Sequence, residues 1–287
     1  MEYKKITIIA LMIIIVGAWT FNVYKFAKTS LKEPIFLNHY IDSDEKIVDI
    51  YYIDNVFSNE KYNLFTAPNI KGKGSLVSEK EKKVKWERYQ WPYKINKLTV
   101  DFSDVVASTG QEVNTLLEKG QVHISEICIA PNKGSAFNVE VGDIYLRKSD
   151  IGKSSFCESL GGDSFSTSTG SETYIANRDI EITGVKGGFL DYINENYHII
   201  INNKSIKNED TFPIKIGAGK KIEIYYISKF SGENKKLDNV NKLRLALNII
   251  DKDNNEDHIN FQIGNGEPWI SNEFEMKKVV EELKNSN

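Results

Sequence analysis

Histidine, cysteine, methionine and proline are all scarce in this chain of 287 residues: four His, two Cys, three Met and six Pro. The histidines, His39, His123, His198 and His258, are scattered and form neither HxH nor HExxH. Metal-dependent hydrolysis therefore has no ligand set to start from. Cys128 and Cys157 make no CxxC pair and have no histidine close by, which leaves zinc and dithiol chemistry without a motif. One disulfide between them fits an exported chain, and a buried free thiol at Cys128 fits equally well. No cysteine stands near the N-terminus, so lipid modification there is excluded. There is no GxSxG elbow. "GKSS" at 152–155 has Arg147 where a phosphate loop needs its first glycine, and "GAGKK" at 217–221 lacks the closing hydroxyl. No cofactor is expected.

Positive charge is lacking too. The net charge is -3, and outside the first thirty residues 33 basic side chains face 39 acidic ones. Nucleic-acid binding needs a basic face to displace phosphate counterions, so it is not expected. Lys, Asn and Ile are abundant, as in AT-rich bacterial coding sequence.

What is present begins with "MEYKKITIIALMIIIVGAWTFNVYKFAK". From Ile6 to Tyr24 only Thr7, Thr20 and Asn22 are polar. Such a helix spans about 28 Å, close to the roughly 30 Å hydrocarbon core. Trp19 and Tyr24 suit its interface. The reading is a single-pass membrane anchor with the body extracytoplasmic. The alternative is a signal peptide, cleaved beside the small residues Val16-Gly17-Ala18, and secretion. Lys4 and Lys5 before the span are balanced by Lys25 and Lys28 after it, so the outward body rests on the short head. Pro34 stops any continuing helix.

The body reads as β. "KIVDIYYID" (46–54), "NKLTVDF" (96–102), "QVHISEICIA" (121–130) and "AFNVEVGDIYLRK" (136–148) alternate or carry β-branched runs between turn residues. Only 110–120 looks helical. Residues 149–172 are rich in Ser, Gly and Thr without periodicity, which is linker or loop chemistry. Strands resume at 179–185, 197–203, 212–228, 242–251 and 258–264. "DKDNNED" places Asp251, Asp253, Asn255 and Asp257 at every second residue, a spacing a calcium loop uses. Its sixth position is Glu256 rather than Gly, and its twelfth is Gln262 rather than Glu. The stretch joins two alternating runs, so a hairpin turn is expected and a calcium site is the weaker candidate. At 271–287, Met276, Val279, Val280 and Leu283 fall at helical spacing behind an Asn272/Glu275 capping pattern.

"KWERYQWPYKI" (85–95) is the strongest ligand signal. If extended, Tyr89, Trp91 and Tyr93 share one face and can stack on sugar rings; the alternative is that they pack in the core.

The run "WPYKINKLTVDFSDV … VHISEICIAP … SAFNVEVGDIYLRK" resembles the last strands of galactose-binding-like jelly rolls, the fold of many carbohydrate-binding modules. Phe102-Ser103-Asp104 and Val141-Gly142-Asp143-Ile144-Tyr145-Leu146 fit that outline. Gly142 departs from it, where an acidic residue is common. The resemblance covers 35–148 and implies fold rather than ligand. "FPIKIGAGKKIEIYY" is similar to bacterial immunoglobulin-like modules.

The expected protein is mainly β. A transmembrane helix (1–30) precedes a jelly-roll-like sandwich (35–148), a linker (149–172), an Ig-like sandwich (173–270) and an amphipathic C-terminal helix (271–287). It is expected to bind or build structure in a bacterial cell envelope, with cell-wall glycan or an envelope protein as partner, and to be no enzyme. The alternative is a scaffold or assembly component. A hydrolase with spatially assembled carboxylates is the remaining catalytic option.

Overall fold

The structure, a computed structural model, describes residues 2–56, 58, 61–67, 70–82, 92–102, 121–132, 134–147, 154–166, 169–207, 211–229, 239–264, 266–268, 270 and 272–286. It is mainly β with three helices among these residues. Helix α1 (Glu2–Thr29) is unbroken and solvent-exposed along its apolar length. It is long and apolar enough to cross a membrane.

The first half holds β1 (Ile35–Phe36), β2 (Asn38–Ser43), β3 (Ile47–Asn55), β4 (Tyr62–Ala67), β5 (Ile70–Lys82), β6 (Tyr93–Asp101), β7 (Gln121–Pro131) and β8 (Phe137–Arg147). The second holds β9 (Cys157–Ser166), β10 (Thr169–Ala176), β11 (Ile180–Lys186), α2 (Leu190–Asn196), β12 (Tyr197–Ile201), β13 (Lys204–Ser205), β14 (Ile214–Ile216), β15 (Lys221–Ser228), β16 (Asn239–Asp251), β17 (Glu256–Ile263) and α3 (Glu273–Ser286).

Twelve strands form one sheet in the order β1-β3-β6-β5-β4-β7-β8-β2-β16-β11-β14, with β17 also on β16. Five form a second, β13-β12-β15-β10-β9. Strand β2 runs parallel to both its neighbours, β8 and β16. Strand β16 crosses the whole body. Its residues 239–242 pair with β2, and its residues 243–250 pair with β17. The expected boundary near 149–172 is therefore bridged by a strand from the far end of the chain. That stretch is also less linker-like than its composition suggests, because Cys157–Ser166 is a paired strand. Its Ser and Gly residues hide the alternation, and pairing with β10 supplies the order that propensity does not. Residues 148–153 and the helical reading at 110–120 lie outside the described residues.

Three cores result. Val48, Ile50 and Tyr52 of β3 join Leu98 and Val100 of β6 and Ile124 and Ile144 of the facing strands. Tyr51 and Ile53, on the opposite face of β3, join Tyr93 and Ile95 under α3, which inserts Met276, Val279 and Val280. Strand β3 is thus covered on both faces, as its near-continuous apolar run requires. In the second half, Leu243, Leu245, Leu247 and Ile249 of β16 pack against Ile199, Ile222, Ile224 and Tyr226 of the five-stranded sheet. The edge of β17 is closed from that sheet: Gln262 N–H donates to Glu172, and the Tyr174 hydroxyl donates to Asn260 O at 3.0 Å.

Gly142 explains its departure from the jelly-roll outline. It has φ +85, and a Cβ there would stand 2.5 Å from His39 O. Backbone of β2 occupies the space a side chain would need.

Candidate functional site

A set of specific contacts surrounds the exit of α1. The last turn of a helix leaves carbonyls without partners, and here the body supplies them. The Tyr93 hydroxyl and, at 3.2 Å, the Lys284 ammonium both donate to Thr29 O. Lys284 Nζ also lies 5.7 Å from the centre of the Tyr93 ring. The Asn55 carboxamide spans the next peptide, accepting from Leu31 N at 2.9 Å and donating to Leu31 O at 2.8 Å. Leu31 is only 6% exposed and belongs to the core under α3. Burial pushes the Tyr93 phenol up, with Glu281 adding to it, so the phenol stays a donor. The C-terminal end of α1 and the C-terminal helix α3 meet in this collar. Helix α3 is started by Asn272, whose Oδ1 accepts from Glu275 N at 3.0 Å.

Tyr93 corrects the aromatic-platform expectation. It is 2% exposed, and its face of β6 is the one α3 seals. Tyr89 and Trp91 lie outside the described residues, so no three-ring platform stands among the described ones. Tyr93→Phe is expected to cost about 1 kcal/mol, one hydrogen bond. Hydrogen exchange at the amides of residues 30–32 should quicken in that variant.

A second cluster lies where the halves meet. Arg147 Nε donates to Asp42 Oδ1 at 2.6 Å, and the Asp42 side chain is 2% exposed. Burial raises the Asp42 carboxyl, while Arg147, Arg244 and the Gly188 backbone oppose the rise. The first half thereby holds the loop before α2. Around this pair Tyr40 stacks on Tyr192 at 4.3 Å, and Tyr145 meets Phe189 edge-on at 5.1 Å. His123 stacks on Tyr145 at 4.5 Å and pairs with Asp143 at 2.7 Å. Both members of that last pair are over a third exposed, so it is worth little to stability.

His39 is fully buried. Its Nε2 accepts from Tyr51 N at 2.8 Å, so Nδ1 carries the proton and donates to Val141 O at 3.0 Å. Desolvation lowers its pKa to about 4.

The "DKDNNED" loop turns the β16–β17 hairpin. The Asp251 carboxylate accepts from Asp253 N and Asn255 N, both at 2.9 Å, and from Arg178 at 3.2 Å. Hydrogen bonds led by Asn255 hold its pKa at about 2. Asp257 accepts instead from Ser154 Oγ and Ser155 N, both at 2.8 Å. Of the three carboxylates of the weak calcium candidate, Asp251 and Asp257 thus serve different backbone segments. Among the described residues no three His, Cys, Asp or Glu side chains gather as a metal site. Cys128 and Cys157 are free, on β7 and β9 of different sheets, so the disulfide between them is not made. Burial pushes the Cys157 thiol up to about 11.

The outer face of the five-stranded sheet carries an apolar stripe. Tyr225 is 41% and Ile227 46% exposed, and across the ladder stand half-buried Ile200 and exposed His198.

Sequence reasoning missed the collar, His39 and the Asp42–Arg147 pair. Asn55 reads as a turn residue, and Tyr93, Lys284, Val141 and Arg147 reach their partners from more than fifty residues away.

No protein-family model matches the chain, and no curated protein matches it in sequence. Among solved structures, one that matches is described as the crystal structure of YadV chaperone at 1.63 Angstrom, with 9% identity and a TM-score of 0.22 over 80% of this chain and 98% of that one. A superposition so slight carries no argument about fold or activity.

Proposed function

We propose that the chain is a single-pass membrane protein of a bacterial cell envelope, with its β body outside the cytoplasm, serving as a binding or structural component and not as an enzyme. One observation carries this reading: α1 runs without a spacer from its apolar span into the collar, where Leu31 enters the core. Val16-Gly17-Ala18, the candidate cleavage point, lies in mid-helix, and Thr20 Oγ bonds back to Val16 O at 2.8 Å. The body is read as two sandwiches, jelly-roll-like and then Ig-like. As partner, an envelope protein is preferred to a glycan. Tyr93 is spent in the core, whereas Tyr225 and Ile227 present a stripe of the kind protein contacts cover.

Membranes from the native source should retain the full chain after alkaline extraction. The retained chain should still carry the residues that precede Trp19. Protease added outside intact cells should remove the body. A mature chain beginning at Trp19 in the soluble fraction would overturn the reading, and protection of the body from protease would reverse its orientation.

A further inference from the structure

We infer that the base of the body is a docking surface for an anionic lipid bilayer, built on Lys25, Lys28, Lys32 and Lys284 around the exit of α1. The inference rests on the anchor reading and adds what the bilayer surface must offer. Thr29, in the collar, stands five helical residues beyond Tyr24, where the apolar run ends, or about 7.5 Å of rise. The headgroup layer on each side of a bilayer is about 5–8 Å thick. The collar therefore stands at headgroup height, and Asn55 and Tyr93 fix it there with no linker to lift it away.

Lys25 and Lys28 are exposed on the last turns of α1, and exposed Lys32 follows the clasped Leu31. Lys284 arrives from the opposite end of the chain, its ammonium held at Thr29 O. Exposed Glu33 neighbours Lys32, and on α3 the exposed Glu281 and Glu282 each pair with a lysine one turn back, Lys277 and Lys278, at 3.8 Å, which leaves an excess of positive charge. The body as a whole is acidic, so this excess is local and faces the lipid. Phosphate headgroups bearing net negative charge supply the complement. Each lysine at such a surface favours anionic over neutral lipid roughly fivefold.

The full chain should be reconstituted in bilayers of equal phosphatidylcholine and phosphatidylglycerol, and the lipids it retains counted by native mass spectrometry. The expected result is at least a fivefold excess of phosphatidylglycerol, falling steeply with salt. The variant Lys25→Gln/Lys28→Gln/Lys32→Gln changes only exposed side chains. It should lower the ratio severalfold, to no more than the roughly fivefold share left to Lys284, with unchanged melting. Lys284→Gln should lower the ratio less and loosen the collar. Equal retention of the two lipids by the unaltered chain, or an excess undiminished in the triple variant, would overturn the inference and leave the anchor standing. A chain that fails to enter either bilayer would remove the anchor, and the inference with it.

Discussion

Acidification from pH 7 to pH 4 should cost the folded protein about 3 kcal/mol through His39 alone. The unfolded chain takes up this proton near the ordinary value of 6.5, whereas burial delays uptake in the folded state to about pH 4. Above pH 6.5 both states are neutral and the histidine adds no pH dependence. Between pH 6.5 and 4 the unfolded state binds the proton and the folded state does not, so stability falls as pH falls. The geometry enforces this. Nε2 already accepts from Tyr51 N and Nδ1 already donates to Val141 O, so a second ring proton would point at an N–H. Urea unfolding in mild detergent at pH 7, 5.5 and 4.5 measures the slope. His39→Leu should flatten it in that window while lowering stability at pH 7, because two buried backbone groups lose their partner at about 1–3 kcal/mol each. A slope unchanged in His39→Leu would assign the acid sensitivity elsewhere. The lowered carboxyls of Asp251 and Asp257 lose their contribution only below about pH 4, outside the window.

Arg147→Met should destabilise the protein by about 3 kcal/mol at pH 7, the lower end for breaking a buried ion pair. The lower end applies because the Gly188 backbone still donates to Asp42 and Arg147 is itself 31% exposed. The distinguishing result is the pH dependence. Burial already raises the Asp42 carboxyl, and without Arg147 it rises further. A carboxyl whose folded value lies above its unfolded one gains stability as pH falls through that folded value. The deficit of Arg147→Met relative to the unaltered protein should therefore shrink between pH 7 and 5. Asp42→Asn, which buries no charge, should show a smaller deficit with no such recovery. Equal deficits at both pH values would mean that Arg147 acts through packing on Tyr145 and the loop at Gly188.

Much of the β framework is legible in the sequence, because alternation at Leu243–Ile249 and Ile259–Ile263 or an apolar run at 47–53 says strand and says which side is apolar. Alternation does not say how many sides are covered. Tyr93 shares a face of β6 with Ile95, and nothing local reveals that a helix 180 residues later seals that face. Strand β9 was illegible for the opposite reason. Gly161 and Gly162 remove the side chains whose pattern would mark it. The collar is illegible because each part looks ordinary alone: an asparagine ending a strand, a tyrosine after a proline, a lysine near the C-terminus. Only the fold brings them to Thr29.

The path of β16 bears on how the chain is made. Asn38 and Asn239 are ladder partners separated by about 200 residues, and pairings so distant in sequence slow folding. On a ribosome the strand carrying His39 is synthesised about 200 residues ahead of its neighbour β16. Until that neighbour emerges, one side of Asn38–Ile41 waits without its ladder partner while α1 is already apolar enough to enter a bilayer. On the proposed anchor reading, the nascent chain has its membrane address before it has a finished sheet, and the body is completed beside the lipid. Shortened forms that stop before residue 239 should accumulate as membrane-bound, protease-sensitive intermediates rather than as a stable first half.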